Sequence, residues 1–157
     1  MWADLGSGRG AFTLALGDLV GPGARILSVD RDERALSAQR RAMSERFPTI
    51  NVDYVAADFT KPLDLPPLDG LVMANSLHFV RDKPAVVEGL AQALKPGGRF
   101  TLVEYNADRG NPWVPHPLSF ETWRRVAEAA GLQETRLIHR VPSRFLREIY
   151  SAVSVKR

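Results

Sequence analysis

Apolar residues in this chain change their spacing repeatedly, from short unbroken runs to helical stripes. Trp2 to Leu5 is such a run, and the stretch from about Gly10 to Val20 then places Phe12, Ala15, Leu16 and Leu19 along one stripe. The first predicts a buried strand and the second an amphipathic helix, stopped by Gly21-Pro22-Gly23. Residues 24–30 (ARILSVD) read as strand two, DERALSAQRRAMSERF as a helix ending before Pro48, and residues 51–57 (NVDYVAA) as strand three. A proline-studded loop leads to a fourth strand at 69–75 (DGLVMAN) and a helix at 83–94. Lys95-Pro96-Gly97-Gly98 stops that helix and starts strand five, RFTLVEY. After a loop rich in Pro and Trp comes the helix SFETWRRVAEAAG, with Ser119 as its N-cap, then strand-like runs at 132–140 and 148–156. No helix separates these last two, so an antiparallel pair is expected. Strands alternating with helices predict an α/β domain around a parallel sheet.

The chain has 157 residues, 45% of them hydrophobic, enough for one domain with a real core and too few for two ordinary ones. It has no cysteine, which excludes a disulfide framework, a thiolate nucleophile and thiolate metal ligands. No apolar stretch reaches transmembrane length and the first residues read as a strand rather than a signal peptide, so no membrane partner and a cytoplasmic setting are expected. A pI of 9.6 raises the question of nucleic acid. The basic excess is C-terminal: eight of the 21 Lys and Arg but four of the 18 Asp and Glu lie beyond residue 120. With little aromatic interleaving, that segment reads as a solvated basic face, and an RNA or protein acceptor bound there is the alternative.

Gly6, Gly8 and Gly10 stand between strand one and the first helix. A glycine-rich turn there lets backbone approach a ligand closely and aims free N–H groups at it. About twenty residues past Gly10, strand two ends in Asp30, placed to accept both hydroxyls of a ribose. The expected ligand is nucleotide-like. Gly6, Gly8 and Ala11 also fit the G-x-G-x-x-G/A of nicotinamide and flavin binders, so this local pattern leaves two cofactor classes open.

A wider set of motifs separates them. DLGSGRG, then SVD at strand two, AADF at 56–59, LDGLVMANSLHFV at 68–80 and LKPGGRFTLVEY at 94–105 resemble the class I S-adenosylmethionine-dependent methyltransferases. The resemblance runs from residue 2 to about 105. It implies a Rossmann-like, doubly wound, seven-stranded and mostly parallel sheet, with strand seven antiparallel beside strand five. It also implies S-adenosylmethionine as cofactor and methyl transfer as activity. Gly6, Ser7, Gly8 and Gly10 would lie against the methionine and ribose, with Asp4 reaching the amino group. Asp30 would hold the ribose hydroxyls, Arg31 and Phe59 would lie by the adenine, and Asp58 would accept from its amino group. Asn75 and Ser76 would border the methyl group.

Transfer to an acceptor that carries a proton needs a base. His78 in ANSLHFV is the first candidate, because histidine titrates near neutrality when unperturbed and this one follows strand four. Glu104 and Tyr105, ending strand five, are the others. Trp113 and His116, in the loop NADRGNPWVPHPLSF, are expected to wall the acceptor pocket. No Asp/Asn-Pro-Pro-aromatic run follows strand four, no cysteine serves a covalent route to cytosine C5, and no acidic metal cluster stands there. A small organic acceptor and no metal are therefore expected. The family's usual helices before strand one have no counterpart here, which suggests an exposed site, completion by a partner, or self-association through an apolar edge. A nicotinamide oxidoreductase and a non-catalytic cofactor-binding module are the alternatives from other classes.

Overall fold

A computed structural model describes all 157 residues. In chain order the elements are β1 (Trp2–Leu5), α1 (Ala11–Val20), β2 (Arg25–Asp30), α2 (Glu33–Arg46), β3 (Asn51–Ala56) and β4 (Leu68–Ala74). A single 3-10 turn at Leu77–Phe79 leads to α3 (Lys83–Gln92), β5 (Leu94–Tyr105), α4 (Phe120–Ala129), β6 (Leu132–Pro142) and β7 (Glu148–Lys156). The strands form one sheet in the order β3-β2-β1-β4-β5-β7-β6. β1 to β5 are mutually parallel. β7 lies between β5 and β6, antiparallel to both, as expected from the two closing runs.

The strand order reverses between β1 and β4, and in open α/β sheets such a reversal is where the ligand crevice lies, at the carboxyl ends of the strands. The two sheet faces are covered differently. On one, Leu16 of α1 packs with Ile26 and Val72, and Gln39 of α2 meets Ser28. The other carries the main core of 22 buried residues, including Ala3, Leu27, Met73 and Phe100 with Val87 of α3 and Trp123 of α4. No helix is long and apolar enough to cross a membrane.

The apolar stripe expected on α1 needs correction. Leu19 is 80% exposed and Ala15 is exposed, while Thr13, Leu16 and Gly17 face inward. Gly17 explains this: a Cβ there would stand 3.1 Å from Met43 and Phe47, so the helix turns its small residues toward α2 and its core-like leucine toward solvent. Strand five also begins earlier than expected. Leu68 pairs with Leu94 and Gly70 with Arg99, so Lys95–Gly98 is a bulge within β5 rather than a break before it. β6 runs two residues beyond the expected end to Pro142, which an edge strand tolerates because its outer N–H groups need no partner. The caps follow expectation: Asp32 accepts from Arg34 N and Ala35 N at the start of α2, and Ser119 from Thr122 N at the start of α4.

Candidate active site

The loop after β1 is held from three sides. The Val29 carbonyl accepts from Gly6 N at 2.8 Å and Ser7 N at 3.1 Å, and Gly10 N donates to Ser7 O at 2.9 Å. Gly8 N donates to Asp30 Oδ2 at 2.7 Å, while Asp30 Oδ1 accepts from Asp32 N. Four of the N–H groups expected to be free are therefore engaged: Gly6 and Ser7 continue the β1–β2 pairing past the last strand residue, Gly8 bonds the Asp30 side chain, and Gly10 bonds within the loop. Its three glycines also differ. A Cβ at Gly6 would stand 2.5 Å from Ser76 Cβ and 3.1 Å from a ring carbon of Phe59, and one at Gly10 2.5 Å from Gln39 Cβ. Gly8, with φ 53°, faces open space. Protein atoms account for two of the bare positions, and the third, with its left-handed backbone, stays open.

Asp4 lies beneath this loop, 1% exposed, its Oδ2 accepting from the Thr13 hydroxyl at 2.7 Å. Burial pushes its carboxyl up to about 6 against that hydrogen bond, and the nearby charge of Asp30 adds to the rise. A buried carboxylate in this condition favours a cationic partner, and an ammonium ligand would restore its ionised form. Arg31 is exposed at the end of β2. Asp58 Oδ1 closes a turn by accepting from Thr60 N and Thr60 Oγ1, bonds that hold its carboxyl below the usual carboxylate range. Its second oxygen has no protein partner, and Phe59 lies against Gly6.

Across the crevice, β4 ends in Asn75, exposed and in the left-handed region at φ 52°, and Ser76, whose hydroxyl donates to Leu5 O at 2.9 Å. That bond ties the tip of β4 to the tip of β1. His78 follows on the 3-10 turn, 4% exposed. Its backbone N donates to Glu104 Oε2 at 2.9 Å and its Nδ1 lies 2.8 Å from Glu104 Oε1. Glu104, fully buried at the end of β5, also accepts from Tyr105 N at 3.0 Å. Tyr105 sits edge-on to the His78 ring at 5.5 Å, and burial, then the Glu104 charge, raises its phenol.

Both Glu104 oxygens already accept backbone N–H groups, from His78 N and Tyr105 N, so the carboxyl acts as the acceptor here and His78 Nδ1 as the donor, leaving Nε2 as the ring nitrogen that does not face Glu104. Nε2 makes no hydrogen bond to the protein, yet the only unpaired side-chain polar atoms sealed from solvent are Trp123 Nε1 and the Tyr150 hydroxyl. The imidazole thus keeps one ring nitrogen without a protein partner. Trp113 is 72% exposed and Phe79, 62% exposed, lies tilted against His78 with ring centroids 4.2 Å apart. His116 is exposed and bonds this region only through its backbone, His116 N donating to His78 O at 3.0 Å.

The two halves lie on either side of the β1–β4 reversal, joined through Ser76 and Leu5: a loop with one open glycine and two carboxylates, and an imidazole bonded to a buried glutamate. The family model described as "Methyltransferase domain" matches residues 2–140. This chain belongs to the class I S-adenosylmethionine-dependent methyltransferases. It is 30% identical over 105 residues to the ubiquinone/menaquinone biosynthesis C-methyltransferase UbiE of Pasteurella multocida, covering 66% of this chain and 39% of that protein. It is 36% identical over 104 residues to a carboxy-S-adenosyl-L-methionine synthase of Chromohalobacter salexigens, covering 64% and 38%. The chain thus spans about two fifths of the length of these curated relatives. Among solved structures it is similar to a SAM-dependent methyltransferase from Aquifex aeolicus, with TM-score 0.74, 20% identity and coverage of 99% and 81%.

The family's cofactor is S-adenosylmethionine, and the residues fit it: an unobstructed face at Gly8, a buried carboxylate for an ammonium, and an acid at the end of β2. Sequence reasoning missed Gln39, Thr13, Ser28 and Lys83. Lys83 is buried at the start of α3 and its Nζ donates to Val80 O at 2.7 Å, bracing the turn that carries His78. Lys83 looks like an ordinary helix-start residue in the sequence; nothing local marks it.

Proposed function

We propose that this chain transfers a methyl group from S-adenosylmethionine to a carbon or oxygen of a small-molecule acceptor, with His78 as general base. The observation that carries this reading is the 2.8 Å contact between His78 Nδ1 and Glu104 Oε1, which leaves Nε2 unpaired. When bound, the cofactor supplies an electrophilic methyl on a sulfonium, whose positive charge disappears at sulfur as the methyl leaves. His78 Nε2 takes the proton the acceptor loses, and Glu104 stabilises the imidazolium that forms. Asp30 accepts the ribose hydroxyls and Asp4 the ammonium of the methionine portion. Gly8 forms the wall beside it, with Gly6, Ser7 and Gly10 holding the loop in place, and Asn75 and Ser76 border the methyl. Arg31, Asp58 and Phe59 flank the adenine. Tyr105, Phe79 and Trp113 give an aromatic wall for the acceptor, with His116 at its rim.

A carbon acceptor is favoured because the UbiE relative is named a C-methyltransferase, and an acidic C–H and a phenol alike give His78 a proton to take. The synthase relative supports a rival in which the cofactor itself is the compound modified. Both are tested with methyl-labelled S-adenosylmethionine and a panel of phenolic and enolisable small molecules. We expect label on an acceptor together with release of S-adenosylhomocysteine. His78→Ala is expected to slow that transfer by roughly 10²- to 10⁴-fold with cofactor affinity within about twofold. Full-rate transfer by His78→Ala would remove His78 as base, and loss of cofactor without methylated acceptor would favour the rival.

A further inference from the structure

We infer that Gln39 of α2 is a positioning residue for the cofactor, setting the Gly8 wall from beneath. Its side chain is fully buried under the glycine loop, 31 residues away in sequence from Gly8. Nε2 donates to the Gly8 carbonyl at 3.0 Å and to Ser7 Oγ at 2.9 Å. The Ser28 hydroxyl lies 2.9 Å from Gln39 Oε1 and 2.8 Å from Ser7 Oγ, closing the network. Only an amide presents two donors and an acceptor on one planar tip, which is what these three neighbours require.

The consequence falls on Gly8. Its carbonyl is drawn inward by Gln39 and its N–H is taken by Asp30, so both backbone polar groups are fixed and only the open Cα face is left for a ligand. Gly10 belongs to the same device. A Cβ there would stand 2.5 Å from Gln39 Cβ, so the bare position at 10 lets α2 approach closely enough for the amide to reach the loop. α2 is itself anchored to the end of β2, through Asp30 Oδ1 accepting from Asp32 N and Asp32 capping the helix. Asp30 and Gln39 thus grip one residue from opposite sides, and both are referenced to the same strand end.

The inference rests on the cofactor reading of Gly8 and Asp30, and the test separates the two. Calorimetric titration with S-adenosylhomocysteine is run on the wild-type chain, Gln39→Leu and Gln39→Glu. We expect Gln39→Leu to weaken affinity roughly tenfold with about one site per chain, because the Gly8 carbonyl loses its donor and the wall relaxes. Gln39→Glu presents an acceptor to that carbonyl when ionised and an O–H donor when protonated. Its affinity relative to wild type is therefore expected to recover several-fold from pH 8 to pH 5.5, since burial raises the carboxyl. Asp4 is present in both proteins, so the comparison is made as the ratio to wild type at each pH. A merely structural role predicts fewer competent molecules with unchanged affinity and no recovery at acid pH, and either result overturns the inference. If Gln39→Leu fails to fold, the pH ratio of Gln39→Glu decides alone. Wild type that binds no S-adenosylhomocysteine would bring down the cofactor reading, and this inference with it.

Discussion

The carboxyl edge of the sheet has two halves built by different means. On the β1–β2 side, everything that faces the crevice is rigidly referenced: both backbone groups of Gly8 are taken, Asp30 bonds two amides, and the Ser7–Ser28–Gln39 network lies sealed beneath. On the β4–β5 side one buried pair, His78 and Glu104, is surrounded by loops whose aromatics stand in solvent. The difference matches the tasks proposed for the two halves, cofactor binding on the first and acceptor activation on the second. A constant cofactor rewards a prebuilt wall, since order already present need not be created on binding. An acceptor site needs only its proton-moving group held fixed, while the loops around it set which molecule enters. The comparison predicts that substitutions on the first side act through cofactor affinity and those on the second through turnover or acceptor affinity.

The largest effect is expected from Glu104→Gln. The amide that replaces the carboxylate no longer stabilises the imidazolium, and turnover should fall by roughly 10²-fold or more while S-adenosylhomocysteine binds as before. A parallel loss of cofactor affinity would mean the two halves are not separate. Asp30→Ala should do the opposite, weakening S-adenosylhomocysteine binding by about 1–3 kcal/mol in a calorimetric titration, because ligand hydroxyls lose a charged acceptor. Unchanged affinity would retire the ribose role.

Asp4→Asn sharpens the same boundary through stability. The folded carboxyl is raised to about 6 from 3.8, so between those values the folded chain holds a proton that the unfolded chain has released. Its contribution to stability is therefore highest at the acid end and is lost as pH rises through about 6. Removing the charge should raise the melting temperature of the ligand-free protein at pH 8, by on the order of 1–3 kcal/mol in stability, and flatten its decline between pH 4 and pH 7. The same change should weaken S-adenosylhomocysteine binding, which a titration at pH 8 reads. The smallest effect is expected from Trp113→Ala. With its ring largely in solvent, stability should stay within about 0.5 kcal/mol, and the acceptor KM alone should rise.

These halves were also unequally readable in the amino-acid sequence. The glycine turn and Asp30 are visible because strand, turn and acid lie within one βαβ unit, where spacing carries the geometry. The sheet order and the insertion of β7 followed from the family resemblance and from the missing helix between the last two runs. Gln39 was not legible, since a polar residue inside an amphipathic helix looks solvent-facing until the bare position at Gly10 is seen against it. Thr13 and Gly17 were passed over on α1 because a stripe of large apolar residues drew attention to Leu19, which is exposed. His78 and Glu104 could each be named from their strand ends. That they share a hydrogen bond is a fact of β4–β5 register across 26 residues, and no local spacing encodes it.

The crevice at the β1–β4 reversal is tested most directly by a crystal structure grown with S-adenosylhomocysteine in excess. The ribose hydroxyls should lie on the Asp30 carboxylate, the homocysteine chain along Gly8, and the open side of the sulfur toward His78. Density for the compound elsewhere on the protein, or its sulfur turned away from the His78–Glu104 pair, would contradict the account.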